Sequence, residues 1–293
     1  MTKNGEMVVA LLGEPNVGKS SLLNALVGET VAITTDLAGT TRGQIRGYLG
    51  NIEIIDTPGM LSSHVTKDNL AKHMRKSISA AVAEADLLLY VLDAVNFTDG
   101  DIEKIANYRD KKPVIVAVNK ADKTNFEKLY PRLAKLNTLG FVRAIVPVSA
   151  KTGFNINVLT QAIIPTPSSL RDATPSFDEG ELFTDQSVRA MCQEIIRKAL
   201  IENLRAEIPH GVAVLITKFQ ETQKAIEIHA DIICQKPSHK PIIIGSGGGM
   251  LKRIGTQARA EIEKLLDTPA KLYTHVIVRE GWKNDKDLIA RLT

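Results

Sequence analysis

The sequence predicts two folded units, a doubly wound α/β domain with a mainly parallel sheet and a smaller α+β domain after it. Three observations carry this. Short apolar runs alternate with helical patterns from residue 8 to residue 164, as parallel strands joined by crossover helices require. A stretch from Pro165 through Pro167, Pro175 and Gly180, mixed in charge and without periodicity, then breaks the pattern as a linker does. Beyond it the order changes to a helix, two strands, two helices and a strand. The expected bounds are 1–165, a linker at 166–184, and 185–293.

The first strand, Val8–Leu12, runs into Gly13-Glu14-Pro15-Asn16-Val17-Gly18-Lys19-Ser20, and a helical pattern follows from Ser21 to Leu26. Strand, glycine loop and helix in that order make a phosphate cradle. Small residues let successive backbone N–H groups turn toward phosphate oxygens, Lys19 adds a full positive charge, and the Ser20 hydroxyl is placed for Mg2+. Residues 30–42 are polar, rich in threonine and aperiodic, and read as a loop. Gln44–Tyr48 and Asn51–Ile55 read as an antiparallel pair that turns at Gly50-Asn51. Asp86–Asp93 is apolar enough for a strand buried on both faces, with a helix before it at His73–Ala85. Helix Asp101–Arg109, strand Val114–Val118, helix Phe126–Asn137, strand Val142–Val148 and helix Asn155–Ile164 complete the first domain. The second begins with helix Asp185–Leu204 and strands Val212–Phe219 and Lys224–Ile233. Helical segments at Pro241–Ile244 and Leu251–Leu266 flank a glycine loop, and Leu272–Arg279 is the last strand.

Bulk properties exclude several classes. With 44% apolar and 24% charged residues the chain has ample material for real cores, and a net charge of +4 over 293 residues is mild. Cys192 and Cys234 sit among apolar neighbours and read as buried thiols, and the six histidines show no ligand spacing. The first residues run straight into a strand, so no signal peptide is expected, and no apolar run approaches the ~20 residues of a spanning helix. A soluble, cytoplasmic protein is expected.

Further segments fall where a guanine-nucleotide enzyme needs them. Asp56-Thr57-Pro58-Gly59 ends a strand, so Asp56 can reach a Mg2+ water and the Gly59 amide can face a γ-phosphate. Asn119-Lys120-Ala121-Asp122 follows another strand. The Asp122 carboxylate can accept from both the ring N–H and the exocyclic NH2 of guanine, Lys120 would lie along the base, and Asn119 would tie neighbouring loops. Ser149-Ala150-Lys151 would offer the Ala150 amide to guanine O6. Thr41, ahead of Thr40, would bind Mg2+ and sense the γ-phosphate, so that hydrolysis releases its loop. Lys19, Thr41 and Gly59 are thus the expected catalytic groups. Met60 stands where Ras-type enzymes place a glutamine that orients the attacking water, so catalysis must use backbone groups, ordered water, a cation or a partner. Asn16 is a candidate K+ ligand, weighed evenly against a role in fixing the loop. Arg42 reads as a solvated or structural arginine rather than a finger.

The second domain has its own glycine loop, Gly245-Ser246-Gly247-Gly248, a G-x-x-G element between helical segments. It would admit a nucleic-acid backbone, with Ile243, Ile244 and Ile254 as a floor for bases and Lys240, Lys252 and Arg253 alongside. At this point the chain resembles the bacterial Era family, a P-loop GTPase domain followed by a type II KH domain. The likeness runs from the Gly13–Ser20 loop, with Ser21 after it, through Thr40-Thr41-Arg42 and the Asp56, Asn119 and Ser149 segments. It resumes at Thr184-Asp185-Gln186, Glu194–Arg197, Glu207–Val214 and Ile243-Ile244-Gly245. The resemblance implies GTP and GDP as ligands, binding near the 3′ end of 16S ribosomal RNA, and action in maturation of the small (30S) subunit. It also implies loose association with the inner membrane face, and a monomer is expected. Family members often carry lysine or arginine inside the G-x-x-G loop, where Ser246 and Gly247 stand here. Competing readings are a GTPase of large-subunit assembly or tRNA modification, a metabolic phosphotransferase, and a passive RNA chaperone.

Overall fold

The computed structural model describes residues 7–34, 42–59, 68–164, 184, 186–222 and 225–292. They fall into two compact units, the second of which also takes in Ile33 and the start of helix α2 through Lys72. The first unit contains β1 (Met7–Leu12), α1 (Lys19–Val27), β2 (Ile45–Leu49), β3 (Ile52–Asp56), α2 (Asn69–Glu84), β4 (Leu87–Asp93), α3 (Asp99–Ala106), β5 (Val114–Asn119), α4 (Phe126–Asn137), β6 (Val142–Pro147) and α5 (Ile156–Ile163). Its sheet has the order β2-β3-β1-β4-β5-β6, with β2 antiparallel to β3 and the other pairs parallel.

Period-two alternation sorts the strand residues onto two faces. Val9, Leu11, Leu87, Leu89, Val91, Ile115 and Ala117 pack with Leu22, Leu23 and Leu26 of α1 and Leu159 and Ile163 of α5. Val8, Ala10, Leu12, Leu88, Leu92, Val114, Val116 and Val118 pack instead with Ala81 of α2, Ile102 and Ile105 of α3, and Leu129 and Leu136 of α4. Each fully buried aliphatic side chain contributes about 1.5–3 kcal/mol, so both faces are firmly held. The carboxyl ends of β1, β3, β5 and β6 lead into the phosphate loop and the three other segments singled out by sequence. An open parallel sheet binds its ligands at that edge.

The second unit contains α6 (Val188–Asn203), β7 (Val212–Glu221), β8 (Ile226–Cys234), α7 (His239–Ile244), α8 (Gly249–Leu266), β9 (Ala270–Val278) and α9 (Lys286–Leu292). Strand β8 is central, antiparallel to β7 and parallel to β9. Ile195, Ile196 and Leu200 of α6 pack with Ile254, Ala258 and Ile262 of α8 over Val212, Val214, Ile228 and Ile232, and Ile33 joins this core. Cys192 and Cys234 are buried free thiols.

Several bounds move, each for a local reason. Helix α2 begins at Asn69 rather than His73 because the Ala71 amide donates to Asp68 Oδ1 at 2.8 Å. Helix α3 opens at Asp99 rather than Asp101, where the Asp101 carboxylate accepts from both the amide and the hydroxyl of Thr98. Ser187 accepts from the Ala190 amide and starts α6 at Val188 rather than Asp185. Thr184, expected in the linker, donates through Oγ1 to the Arg46 carbonyl at 2.6 Å; the rest of 166–184 lies outside the described residues. Helix α9 was not foreseen. It rests on Leu288, Ile289 and Leu292, all buried, close in sequence to the fully buried Trp282, whose Nε1 donates to the Gly211 carbonyl at 3.1 Å. Among the described residues no helix is long and apolar enough to cross a membrane.

Candidate functional site

The phosphate loop is shaped by residues that no ordinary side chain could replace. Gly13 has φ 145°, and a Cβ there would lie 2.4 Å from the Val91 carbonyl oxygen. Gly18 has φ 92°, and its Cβ would meet Asn119 Nδ2 at 2.4 Å. Asn16 takes the left-handed conformation without being glycine, at φ 63°. Lys19 is 6% exposed and donates to the carbonyls of Gly13 (3.1 Å) and Glu14 (2.9 Å). Burial pushes its ammonium down to about 8, against the pull of Asp56 and Glu14. An arriving polyphosphate supplies the counter-charge this lysine lacks.

Ser20, in the first turn of α1, donates through Oγ to Asp56 Oδ2 at 2.5 Å, and Asp56 is fully buried. A hydroxyl and a carboxylate converging at the mouth of a phosphate loop are the hard oxygen donors Mg2+ takes, so these residues fit the ion. Thr57 Oγ1 donates to the Leu11 carbonyl at 2.6 Å, and Gly59 lies so close to Pro15 that a Cβ would approach its Cα at 2.8 Å. Thr40, Thr41 and Met60 lie outside the described residues.

On the base side one side chain joins three loops. Asn119 Nδ2 donates to the Val17 carbonyl at 2.9 Å, and its Oδ1 accepts from the Ala150 amide at 3.0 Å. The Ala150 amide, expected at guanine O6, donates to Asn119 in this structure. Asp122 is exposed, and Ser149 Oγ donates to its Oδ1 at 2.6 Å; the Ala121 amide donates to the Val148 carbonyl at 3.0 Å. Lys120, in the left-handed conformation at φ 63°, donates through Nζ to the Asn16 carbonyl and to Asp93 Oδ2. Lys151 is exposed.

Two residues outside the sequence motifs enter the site. Asp93 at the end of β4 pairs with Lys120, and Lys104 of α3 donates to Glu14 at 2.6 Å and to Asp101 at 3.1 Å. An aspartate closing a buried strand is a usable signal for the first. Nothing in the spacing marks the second. Arg42 is buried at 6% exposure, which removes the solvated reading and leaves the structural one.

In the second unit the glycine loop is three left-handed glycines, Gly245, Gly247 and Gly248, with a 3-10 turn over Ser246–Gly248 and α8 beginning at Gly249. Gly245 cannot be replaced, since a Cβ would stand 2.7 Å from the Met250 nitrogen. Lys252 and Arg253 are exposed beside the loop and Lys240 is half-buried. The expected apolar floor is corrected. Ile243 and Ile254 have no exposed surface and belong to the core, Ile244 is half-buried, and Ile242 at 51% exposure is the isoleucine of α7 turned outward.

A family model described as 50S ribosome-binding GTPase matches residues 8–120, and a KH domain model matches 207–283. The GTPase Era of Ruminiclostridium cellulolyticum is 38% identical, covering 97% of this chain and 95% of the relative. That of Bordetella pertussis is 35% identical, covering 94% and 93%. Among solved structures, Era in complex with MgGDPNP and nucleotides 1506–1542 of 16S ribosomal RNA superposes with a TM-score of 0.86, 33% identity, and coverage of 98% of this chain and 99% of that one. An Aquifex aeolicus Era variant bound to GDP·AlF4− gives 0.85 at 33% identity over 97% of each chain. With both domains matched in order over nearly their whole length, the chain belongs to the Era family of GTPases.

Proposed function

We propose that this chain is a GTP-hydrolysing switch that binds the 3′ region of 16S ribosomal RNA and acts in maturation of the small ribosomal subunit. The observation that supports it most is the full-length likeness to an Era bound at once to MgGDPNP and to a 16S segment. Lys19 and the amides of residues 13–20 hold the phosphates, Ser20 and Thr41 ligate Mg2+, and Asp56 orders its water shell. Bound there, the ion would neutralise charge developing on the phosphates. Asp122 selects guanine while Ser149 orients its carboxylate, and Lys120 lies along the base. The Gly245–Gly248 loop, with Lys240, Lys252, Arg253 and the outward Ile242, grips single-stranded RNA.

Met60 cannot orient water, so intrinsic turnover is slow, and Asn16 is the candidate K+ ligand that offsets the missing side chain. The protein acts as a cytoplasmic monomer whose contact with the inner membrane face is loose; flotation with anionic vesicles tests that last point. The deciding experiment is GTP turnover with and without a 16S 3′-end oligonucleotide, in K+ and in Na+. Stimulation by the oligonucleotide and faster turnover in K+ are expected. Equal rates in both salts sink the cation role, and no response to RNA sinks the switch.

A further inference from the structure

We propose that Asp93 is a positioning residue of the nucleotide site, holding the Lys120 ammonium against the phosphate loop. This rests on the guanine-nucleotide reading above. Asp93 closes β4 directly beside Asn119 of β5, and the Ala94 amide donates to the Asn119 carbonyl at 2.8 Å, so the carboxylate is fixed at the rim of the sheet. Its Oδ1 accepts from the Val95 amide at 2.9 Å, and its Oδ2 accepts from Lys120 Nζ at 2.8 Å. The pair is sheltered, with 26% of the lysine side chain and 13% of the aspartate exposed.

The same ammonium donates to the carbonyl of Asn16, a residue itself held at φ 63°. A chain of contacts therefore runs from a strand end, through the lysine of the base-side motif, into the loop that takes the phosphates. Without the carboxylate the ammonium loses the counter-charge of this sheltered ion pair and keeps the Asn16 carbonyl, a weaker partner than a carboxylate. Lys120 would then spend much of its time in other rotamers, at the cost of both the base contact and the Asn16 tether. The base contact concerns binding, so the loss falls on affinity, and through Asn16 it reaches the chemical step only in the K+-dependent part of turnover.

The test compares Asp93→Asn, Asp93→Glu, Lys120→Gln and the Asp93→Asn/Lys120→Gln double variant in the full chain. Fluorescent GDP and IDP analogues report affinity, GTP turnover reports kcat, and melting reports folding. Asparagine retains the Oδ1 acceptor for the Val95 amide, so the β4 turn stays intact. Asp93→Asn is expected to weaken GDP and IDP alike by about tenfold. It should leave kcat measured in Na+ unchanged, be largely recovered by Asp93→Glu, and add nothing once Lys120 is glutamine. An undiminished loss in the Lys120→Gln background, or no loss at all, overturns the proposal. Wild-type protein that binds no GDP removes the nucleotide reading itself, and the positioning role with it.

Discussion

On the proposed reading, Asp122 and Asn119 each act through the two polar atoms at the end of one side chain. Asparagine at position 122 could still accept from Ser149, but it cannot take two N–H groups from one face of guanine. Asp122→Asn should lower GDP affinity by about a hundredfold or more and favour xanthosine diphosphate, read by competition binding. Cys192 makes the opposite point. Burial pushes its thiol up to about 12 and leaves no exposed surface, so a disulfide reagent at pH 8 should react with it only after unfolding. Polar residues at a strand end are legible in the sequence where motif and strand boundary coincide, as at Asp56 and Asn119. Asp93 sits at the same kind of boundary yet belongs to no motif, and its partner Lys120 is 27 residues away. The contact of the Ala150 amide with Asn119 is not legible in the sequence because its direction is set by an asparagine in another loop.

Elements were legible where burial is symmetrical and blurred where it depends on register. Strand β4, apolar throughout and buried on both faces, follows directly from Leu87–Leu92. In α7 the run Ile242-Ile243-Ile244 gives no hint of which isoleucine faces the core, and Ile243 takes that place. Helix α9 is too short to form from propensity alone and waits for a hydrophobic seat. Removing the start signal of α3 by Thr98→Ala should cost about 1 kcal/mol in chemical denaturation. Arg46 of β2 donates to both carboxylate oxygens of Glu84 on α2 at 2.9 Å, which holds the Glu84 carboxyl below its usual range despite some burial. Its contribution is therefore complete above the ordinary glutamate pKa and is lost as pH falls through the lowered folded value. Arg46→Met should cost about 1 kcal/mol or less at pH 7, and less still at pH 3. In the glycine loop, Gly245→Ala should abolish RNA binding through its clash at Met250. Gly247→Lys meets no atom within 4 Å but strains a backbone held at φ 57°, so it should tighten RNA binding at some loss of stability, while steepening the salt dependence by ~0.7 in slope.

At the scale of the molecule, the two units keep separate cores around separate sheets. Both were legible from the change in element order after Ile164, because each order fixes its own sheet topology. Calorimetry of the full chain should resolve two transitions, and GDP at a hundred times its Kd should stabilise the first unit by about 2.7 kcal/mol while moving the other little. Asn119 makes the loop order of this first unit depend on one amide group. Its amide nitrogen holds Val17 and its amide oxygen holds Ala150, so both ends of one group are in use. Deamidation to aspartate would add barely any volume, yet it would turn the donor into a second acceptor facing the Val17 carbonyl. Segments some 130 residues apart in the chain would then part company after the loss of a single ammonia molecule.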